Sequence, residues 1–336
     1  MQAVVFEQFG EPAEVLSVRD VTPPMVEPGQ VFVRMLAAPV NPSELMVVRG
    51  IYGKLPELPA TPGFEGVGVV ESAGGGLYGK LLVGKRVAVL NAPTGSWCEQ
   101  TVLPAKQAIP LPDDLSVEQA AMFFVNPAAA FIMTRKVLVV PQGEWLLQTA
   151  AGSALGRMVV RLGKRFGFRT LCVVRRETQV AELTQLGADA VVVFDPTTDD
   201  AVKLRAAVDE KTNGRGVQYA IDPVGGATGS AVVECLGRGG RMLVFGTLAD
   251  EPLSFSSRAL MTPGAQIEGF WLANWMAKQG LIGKLRLVKQ VKGLMREGIL
   301  VSDVSESFPL ERVTDAVTAA EQPGRGGKVL LRIGDA

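Results

Sequence analysis

The chain has 336 residues, enough for two domains of ordinary size. It is 47% hydrophobic and 20% charged, with a formal net charge of zero and no basic block, which reads as globular and argues against nucleic acid as the main partner. No run of about eighteen apolar residues marks a membrane span, and the first residues lack the basic-then-apolar order of a signal peptide.

Histidine is absent from the chain. That excludes a Ser-His-Asp triad, a His-dependent zinc site and a His general base, so proton chemistry must use another group. Cys98, Cys172 and Cys235 are far apart and odd in number. They fit a reducing cytoplasm better than a disulfide framework.

In chain order, the N-terminus reads as a strand. Residues 1–120 carry short strand signals separated by Pro and Gly, with little helical periodicity: VFVRMLA (31–37), GVGVVES (66–72) and KRVAVLN (85–91). From about residue 123 the pattern becomes apolar strands alternating with amphipathic helices. The strands are EWLLQTA (144–150), RTLCVVR (169–175), DAVVVF (189–194), VQYAID (217–222) and RMLVFG (241–246). Helical stretches lie at 155–167, 178–187 and 202–212. This alternation predicts an α/β fold with a doubly wound parallel sheet. Helices are predicted over 281–297 and 308–321. A closing strand over 327–333 is expected to return to the N-terminal domain. The expected division is 1–122 with 300–336 for one domain and 123–299 for the other.

The first strand of the second domain runs into Ala151-Gly152-Ser153-Ala154-Leu155-Gly156 and then a helix. Small residues there let backbone approach a pyrophosphate at a helix N-terminus. The strict G-x-G-x-x-G spacing is absent, so the strand–turn–helix context carries the reading. The competing reading is a turn that only packs helix on sheet. Nineteen residues past Gly156, where NAD sites carry an acidic residue, stands Arg175, followed by Arg176. Guanidinium groups bind a 2′-phosphate that a carboxylate would repel, which predicts NADPH; two solvated surface arginines are the alternative. Val224-Gly225-Gly226 and Phe245-Gly246-Thr247, after the fourth and fifth strands, are expected at the nicotinamide or are simple turns.

Several segments carry a family pattern: residues 41–44 (Asn-Pro-Ser-Glu), 49–59 around Gly50-Ile51-Tyr52, 63–66 (Gly-Phe-Glu-Gly), 125–127 (Val-Asn-Pro) and 269–272 (Gly-Phe-Trp-Leu) with Trp275. Over essentially its whole length the chain resembles the medium-chain dehydrogenase/reductase superfamily. Within it the chain looks most like the mitochondrial-type 2-enoyl thioester reductases, with the quinone oxidoreductases close by. The resemblance implies a GroES-like β-rich substrate domain plus a Rossmann domain, and a homodimer joined at the edge of the Rossmann sheet. Zinc-dependent members carry Cys where Ser43 stands, Gly-His-Glu where Gly63-Phe64-Glu65 stands, and a four-cysteine lobe where residues 90–110 hold one cysteine. The required ligands are missing, so no zinc is expected. Two departures stand out: Ala154 within the phosphate turn, and Ala129 where the family often has Thr.

Reducing an enoyl thioester needs a hydride on the β-carbon and a proton on the α-carbon. The enoyl reductases place a catalytic tyrosine at the position matched by Tyr52, and a phenol is a proton donor at neutral pH. A loop anchor is the plainer role for Tyr52. The resemblance further implies cofactor contacts from Asn126, Phe270, Trp271, Leu272 and Lys328, added to the turn residues, Arg175, Arg176, Val224, Gly225, Phe245 and Gly246. Phe64 is expected as pocket wall, and Phe270, Trp271 and Trp275 along the acyl channel, at the carboxamide site or in the core. Asn41 and Asn126 are expected as donors to a substrate carbonyl or as turn caps. Three functions follow: an NADPH-dependent 2-enoyl thioester reductase, a zinc-free quinone oxidoreductase, or a non-catalytic NADPH-binding protein.

Overall fold

The alternation of strand and helix signals after about residue 123 appears in the structure as a parallel sheet. The computed structural model describes residues 1–92, 94–324 and 326–334. The first strands are β1 (Gln2–Val5), β2 (Ser17–Asp20), β3 (Gln30–Pro39), β4 (Glu65–Ala73), β5 (Arg86–Leu90), β6 (Gln100–Pro104) and β7 (Ile109–Pro110). They are followed by β8 (Trp145–Gln148), β9 (Arg169–Val174), β10 (Ala190–Val193), β11 (Val217–Asp222), β12 (Leu236–Val244) and β13 (Gln266–Gly269). The last two are β14 (Val304–Pro309) and β15 (Lys328–Arg332).

The chain forms two units, Met1–Asn126 with Ser302–Ala336, and Pro127–Val301. In the first, one sheet runs β14-β15-β3-β4-β5-β7, with β6 also on β3. The C-terminal strand does return to the N-terminal unit: β15 pairs antiparallel with β3, Leu331 opposite Ala38. Trp97, Phe6, Val40, Val48 and Leu331 are among the buried side chains of its core.

In the second unit the sheet order is β10-β9-β8-β11-β12-β13, every pair parallel. The order reverses between β8 and β11, the crevice where doubly wound sheets bind ligands. Leu147, Leu171, Val173, Ala220 and Met242 belong to the core packed on one face of the sheet. The helix after β8, Ala154–Phe166, is capped at both ends: Ser153 accepts from Gly156 N–H, and Gly167 ends it at φ +77°.

Three sequence expectations are corrected. β13 was not anticipated: it has only four residues, none fully buried, so no apolar run announces it. The helix expected over 308–321 begins only at Val313, because β14 extends to Pro309 and a 3₁₀ turn covers Leu310–Arg312. Pairing with β15, Phe308 opposite Leu331, overrides the local helical signal there. The first unit also holds short helices, Pro42–Val48, Leu77–Leu82 and Val117–Ala121, too brief to show a period in the sequence.

Candidate active site

Tyr52 is placed by the end of a helix. Pro42–Val48 stops in a reversal at Gly50, whose φ of +76° suits glycine. Gly50 N–H donates to Val47 O, and Ile51 N–H donates to Met46 O, each at 3.0 Å. Those two bonds are the Schellman closure of a helix C-terminus, and they release the chain sideways at Ile51-Tyr52. Arg49 fixes the corner from outside, meeting Glu11 at 2.8 Å and Glu321 at 2.7 Å. Tyr52 is half-buried, its ring 5.3 Å from that of Phe64.

Phe64 follows another glycine that cannot be replaced cheaply. Gly63 has φ +115°, and a Cβ there would lie 2.1 Å from Ser96 Oγ. The next residue, Glu65, turns inward and is buried with Glu44, Asn41 and Lys328. Asn41 Nδ2 donates to Glu44 Oε1 and to Glu65 Oε1, each at 3.2 Å, while its carbonyl oxygen accepts from Lys328 Nζ. Phe64 N–H donates to Glu44 Oε1 at 3.2 Å. Glu65 Oε2 accepts from Phe124 N–H at 3.1 Å and Val125 N–H at 2.9 Å. Burial raises the Glu65 carboxyl to about 7, with the Glu44 charge adding to it, and burial raises Glu44 as well.

This corrects the expectation for Asn41. Both amide hydrogens of Asn41 are taken by carboxylates, so none is left for a substrate carbonyl. Lys328 is buried in the same cluster, its ammonium donating to the Asn41 carbonyl oxygen. Asn126 remains half-buried at the second position of the helix Val125–Ile132.

In the second unit, Gly156 packs where only glycine fits: a Cβ would sit 2.4 Å from Ala151 O. Gln148 Nε2 donates to Gly156 O at 3.0 Å, and Arg157 Nε donates to Gly152 O at 3.1 Å, so both ends of the turn are held. Gly152 and Ala154 are half-buried, Ser153 is exposed and Leu155 is buried. Above Gly152 lies the Gln179 side chain, the flexible neighbour a Cβ would meet. Buried Asp222 shapes the next turn, accepting from Val224 N–H at 3.0 Å, Gly225 N–H at 2.9 Å and the Thr149 hydroxyl. Gly225 has φ +75°, and a Cβ there would meet nothing, so its outer side is open. A Cβ at Gly246 would lie 2.7 Å from Pro223 O, so the loops after β11 and β12 nest together. This is a small-residue cradle at the carboxyl ends of parallel strands, and it fits a dinucleotide.

Arg175 is exposed and Arg176 half-buried just past β9. Asp195, held below the usual carboxylate range first by Thr197, is lowered further by the Arg175 charge, so a carboxylate stands near the proposed phosphate clamp. Phe245 and Phe270 are half-buried, and Phe270 N–H donates to Val244 O at 2.8 Å. Trp271 is exposed and precedes the helix Leu272–Ala277, which carries Trp275. Sequence reasoning missed Glu44, Glu65, Gln148, Arg157, Gln179 and Asp222. The patterns at 41–44 and 63–66 contain two of them, Glu44 and Glu65, but mark neither as a partner of the site.

Among the described residues, no group of three or more His, Cys, Asp or Glu could hold a metal ion. No described helix is long and apolar enough to cross a membrane. The three cysteines are buried, and burial pushes their thiols up to about 11 for Cys172 and about 12 for Cys98 and Cys235. None is a thiolate nucleophile at neutral pH.

Two family models match: an alcohol dehydrogenase GroES-like domain over residues 27–113, and a zinc-binding dehydrogenase over residues 154–286. The mitochondrial enoyl-[acyl-carrier-protein] reductase of Xenopus tropicalis is 30% identical over 98% of this chain and 95% of its own length. A putative NADPH:quinone reductase structure from Bacillus thuringiensis is 30% identical, covers 99% of each chain and superposes with TM-score 0.90. A solved complex of Etr1p with NADP and crotonyl-CoA is 25% identical, over 98% of this chain and 99% of that one, with TM-score 0.84. By its two matched domains and a full-length likeness, the chain belongs to the medium-chain dehydrogenase/reductase superfamily.

Proposed function

We propose that this chain is an NADPH-dependent reductase of the C2=C3 bond of an enoyl thioester, with Tyr52 as proton donor. The observation that carries it is the Tyr52–Phe64 pair: a phenol held beside the position that a zinc ligand occupies in metal-dependent relatives, in a chain 30% identical to enoyl-acyl-carrier reductases. NADPH, when bound, supplies the hydride to C3. The cradle at 151–156, with the turns at Val224-Gly225 and Phe245-Gly246, holds the dinucleotide, and Arg175 and Arg176 take its 2′-phosphate. Asn126 is left to orient the nicotinamide or the thioester carbonyl. Phe64, Trp271 and Trp275 supply apolar surface. As negative charge develops on the thioester oxygen, Tyr52 gives its proton to C2, a contribution typically worth about 10²–10⁴-fold.

The enzyme needs no zinc in this reading, since Ser43 and Phe64 replace ligands. Stoichiometric zinc in purified protein would contradict it. A homodimer through the edge strand β13 is proposed as well. Leu281, Ile282 and Leu285 are exposed on the helix Leu281–Arg296 of the same unit, which supports it. A monomer in sedimentation at micromolar concentration is the contrary result. The proposed compartment is the cytoplasm, on three unpaired buried thiols, and cell fractionation tests it.

A zinc-free NADPH:quinone oxidoreductase is the second reading, favoured by the likeness to the Bacillus thuringiensis structure. NADPH oxidation with crotonyl-CoA, longer enoyl-CoAs and naphthoquinones separates the two. Turnover of enoyl thioesters is expected; turnover of quinones alone selects the second reading.

A further inference from the structure

The reaction as proposed uses Tyr52, Phe64 and Asn126, and leaves four buried polar side chains without a task. Asn41, Glu44, Glu65 and Lys328 are 3%, 1%, 2% and 5% exposed, so bulk solvent barely reaches them. They come from four places: the start of the helix Pro42–Val48, its first turn, the start of β4 and the start of β15. Asn41 and Lys328 are 287 positions apart. Buried charge is unfavourable unless each group is paired and hydrogen-bonded.

Here the pairing reaches outward along two arms. One arm is Glu44 Oε1, which accepts from Phe64 N–H and so fixes the residue whose ring lies on Tyr52. Its other oxygen accepts from Ser43 Oγ at 2.9 Å. The second arm is Glu65 Oε2, which accepts from Phe124 and Val125 N–H at the start of the helix that carries Asn126. These are donors that a helix start leaves without intrahelical partners. The Asn41 amide bridges the two carboxylates.

We infer that the Asn41–Glu44–Glu65–Lys328 cluster is a positioning device for the reaction, holding the Phe64–Tyr52 side of the site in register with Asn126. The inference rests on the proposed role of Tyr52 and Asn126, but not on which acceptor is reduced. None of the four is a catalytic residue in this account, since each acts through a backbone or a neighbour.

The cluster has a built-in charge imbalance. The charged or titratable groups that face one another in it are Glu44, Glu65 and Lys328: two carboxyls and one ammonium. Neutrality requires one carboxyl to keep its proton, and that proton belongs to the pair. Burial puts its loss in the neutral range, with Glu65 raised to about 7. Above that, two like charges face each other across Asn41, and the cheapest relief is to let one arm go. Release of either arm loosens Phe64 or the Phe124-Val125 turn.

Two measurements test this on the full-length protein. The first is pH-difference infrared spectroscopy without any acceptor. A carbonyl stretch from a buried protonated carboxyl is expected below about pH 7, lost above it, and removed or shifted in both Glu65→Gln and Glu44→Gln. Absence of that band in the parent protein overturns the inference, even if neither variant folds. The second is the pH profile of kcat, read with whichever of crotonyl-CoA or naphthoquinone turns over. The parent is expected to lose up to about tenfold per pH unit above the ionisation, and Glu65→Gln or Glu44→Gln to flatten that limb. A limb unchanged in both variants overturns the positioning role. Failure of every enoyl-CoA with the band and the limb intact would count against the proposed substrate, not against the cluster.

Discussion

The glycine turn at 151–156 and the corner at Tyr52 are both sharp reversals beside a helix, yet they are made by different means. At the first, shape is set by the absence of a side chain: the Cβ that Gly156 lacks would lie 2.4 Å from Ala151 O. At the second, Gly50 turns the chain, but what surrounds Tyr52 is set by buried charge, through Glu44 on Phe64 N–H and Glu65 on the Phe124-Val125 turn. A cradle of glycines tolerates pH and resists substitution. A corner held by carboxylates tolerates an isosteric swap and responds to pH.

Substitution at the cradle is the hardest way to break that contrast. Gly156→Val forces the helix Ala154–Phe166 off the end of β8, and a loss of about 3 kcal/mol or more is expected. Thermal melting with and without NADPH reads it: a lowered Tm and no shift on adding NADPH. A near-normal melt that still rises with cofactor would show that the backbone there has room.

The charged corner makes the opposite prediction, with its sign set by Glu65. The folded carboxyl, raised to about 7, keeps a proton that an unfolded carboxyl at 4.5 has lost. Stability therefore falls as pH rises from about 4.5 to about 7, by an amount on the order of 1–3 kcal/mol, and levels off above. Denaturant melts across that range should show the slope in the parent and a flatter line in Glu65→Gln. A slope equal in both would assign it elsewhere.

Two smaller effects sharpen the comparison. Arg175→Asp should move the NADPH-to-NADH preference in kcat/KM by about tenfold to a hundredfold, since a charge-assisted bond is replaced by repulsion. An unchanged preference would mean that Arg175 is a solvated surface charge beside Asp195. Glu11→Gln removes one partner of Arg49 at an exposed site, where ion pairs contribute under about 1 kcal/mol. A Tm change of a degree or two is expected, and a collapse would show that the corner depends on its outer clamp.

The same contrast explains what was legible in the sequence. Strand and helix periods in 144–246 were readable because apolar side chains repeat locally, and so was the turn at 151–156. The strand Gln266–Gly269 was not, since it is short and partly exposed and owes its place to β12. Tyr52 and Phe64 were legible through the family pattern. Asn41, Glu44 and Glu65 stand in the same pattern, but their contact with one another and with Lys328 was not legible, because folding alone joins positions 41, 65 and 328. Asn41 illustrates the cost of reading types without partners, because its amide serves two carboxylates rather than a substrate.

If Tyr52 delivers the proton in an enoyl reduction, its hydroxyl matters for an enoyl thioester and not for a quinone. NADPH oxidation by Tyr52→Phe is measured with crotonyl-CoA and with a naphthoquinone, each relative to the parent enzyme. A fall of about 10²–10⁴-fold in kcat on crotonyl-CoA, with the quinone rate little changed, is the predicted result. Equal rates of parent and variant on crotonyl-CoA would contradict it.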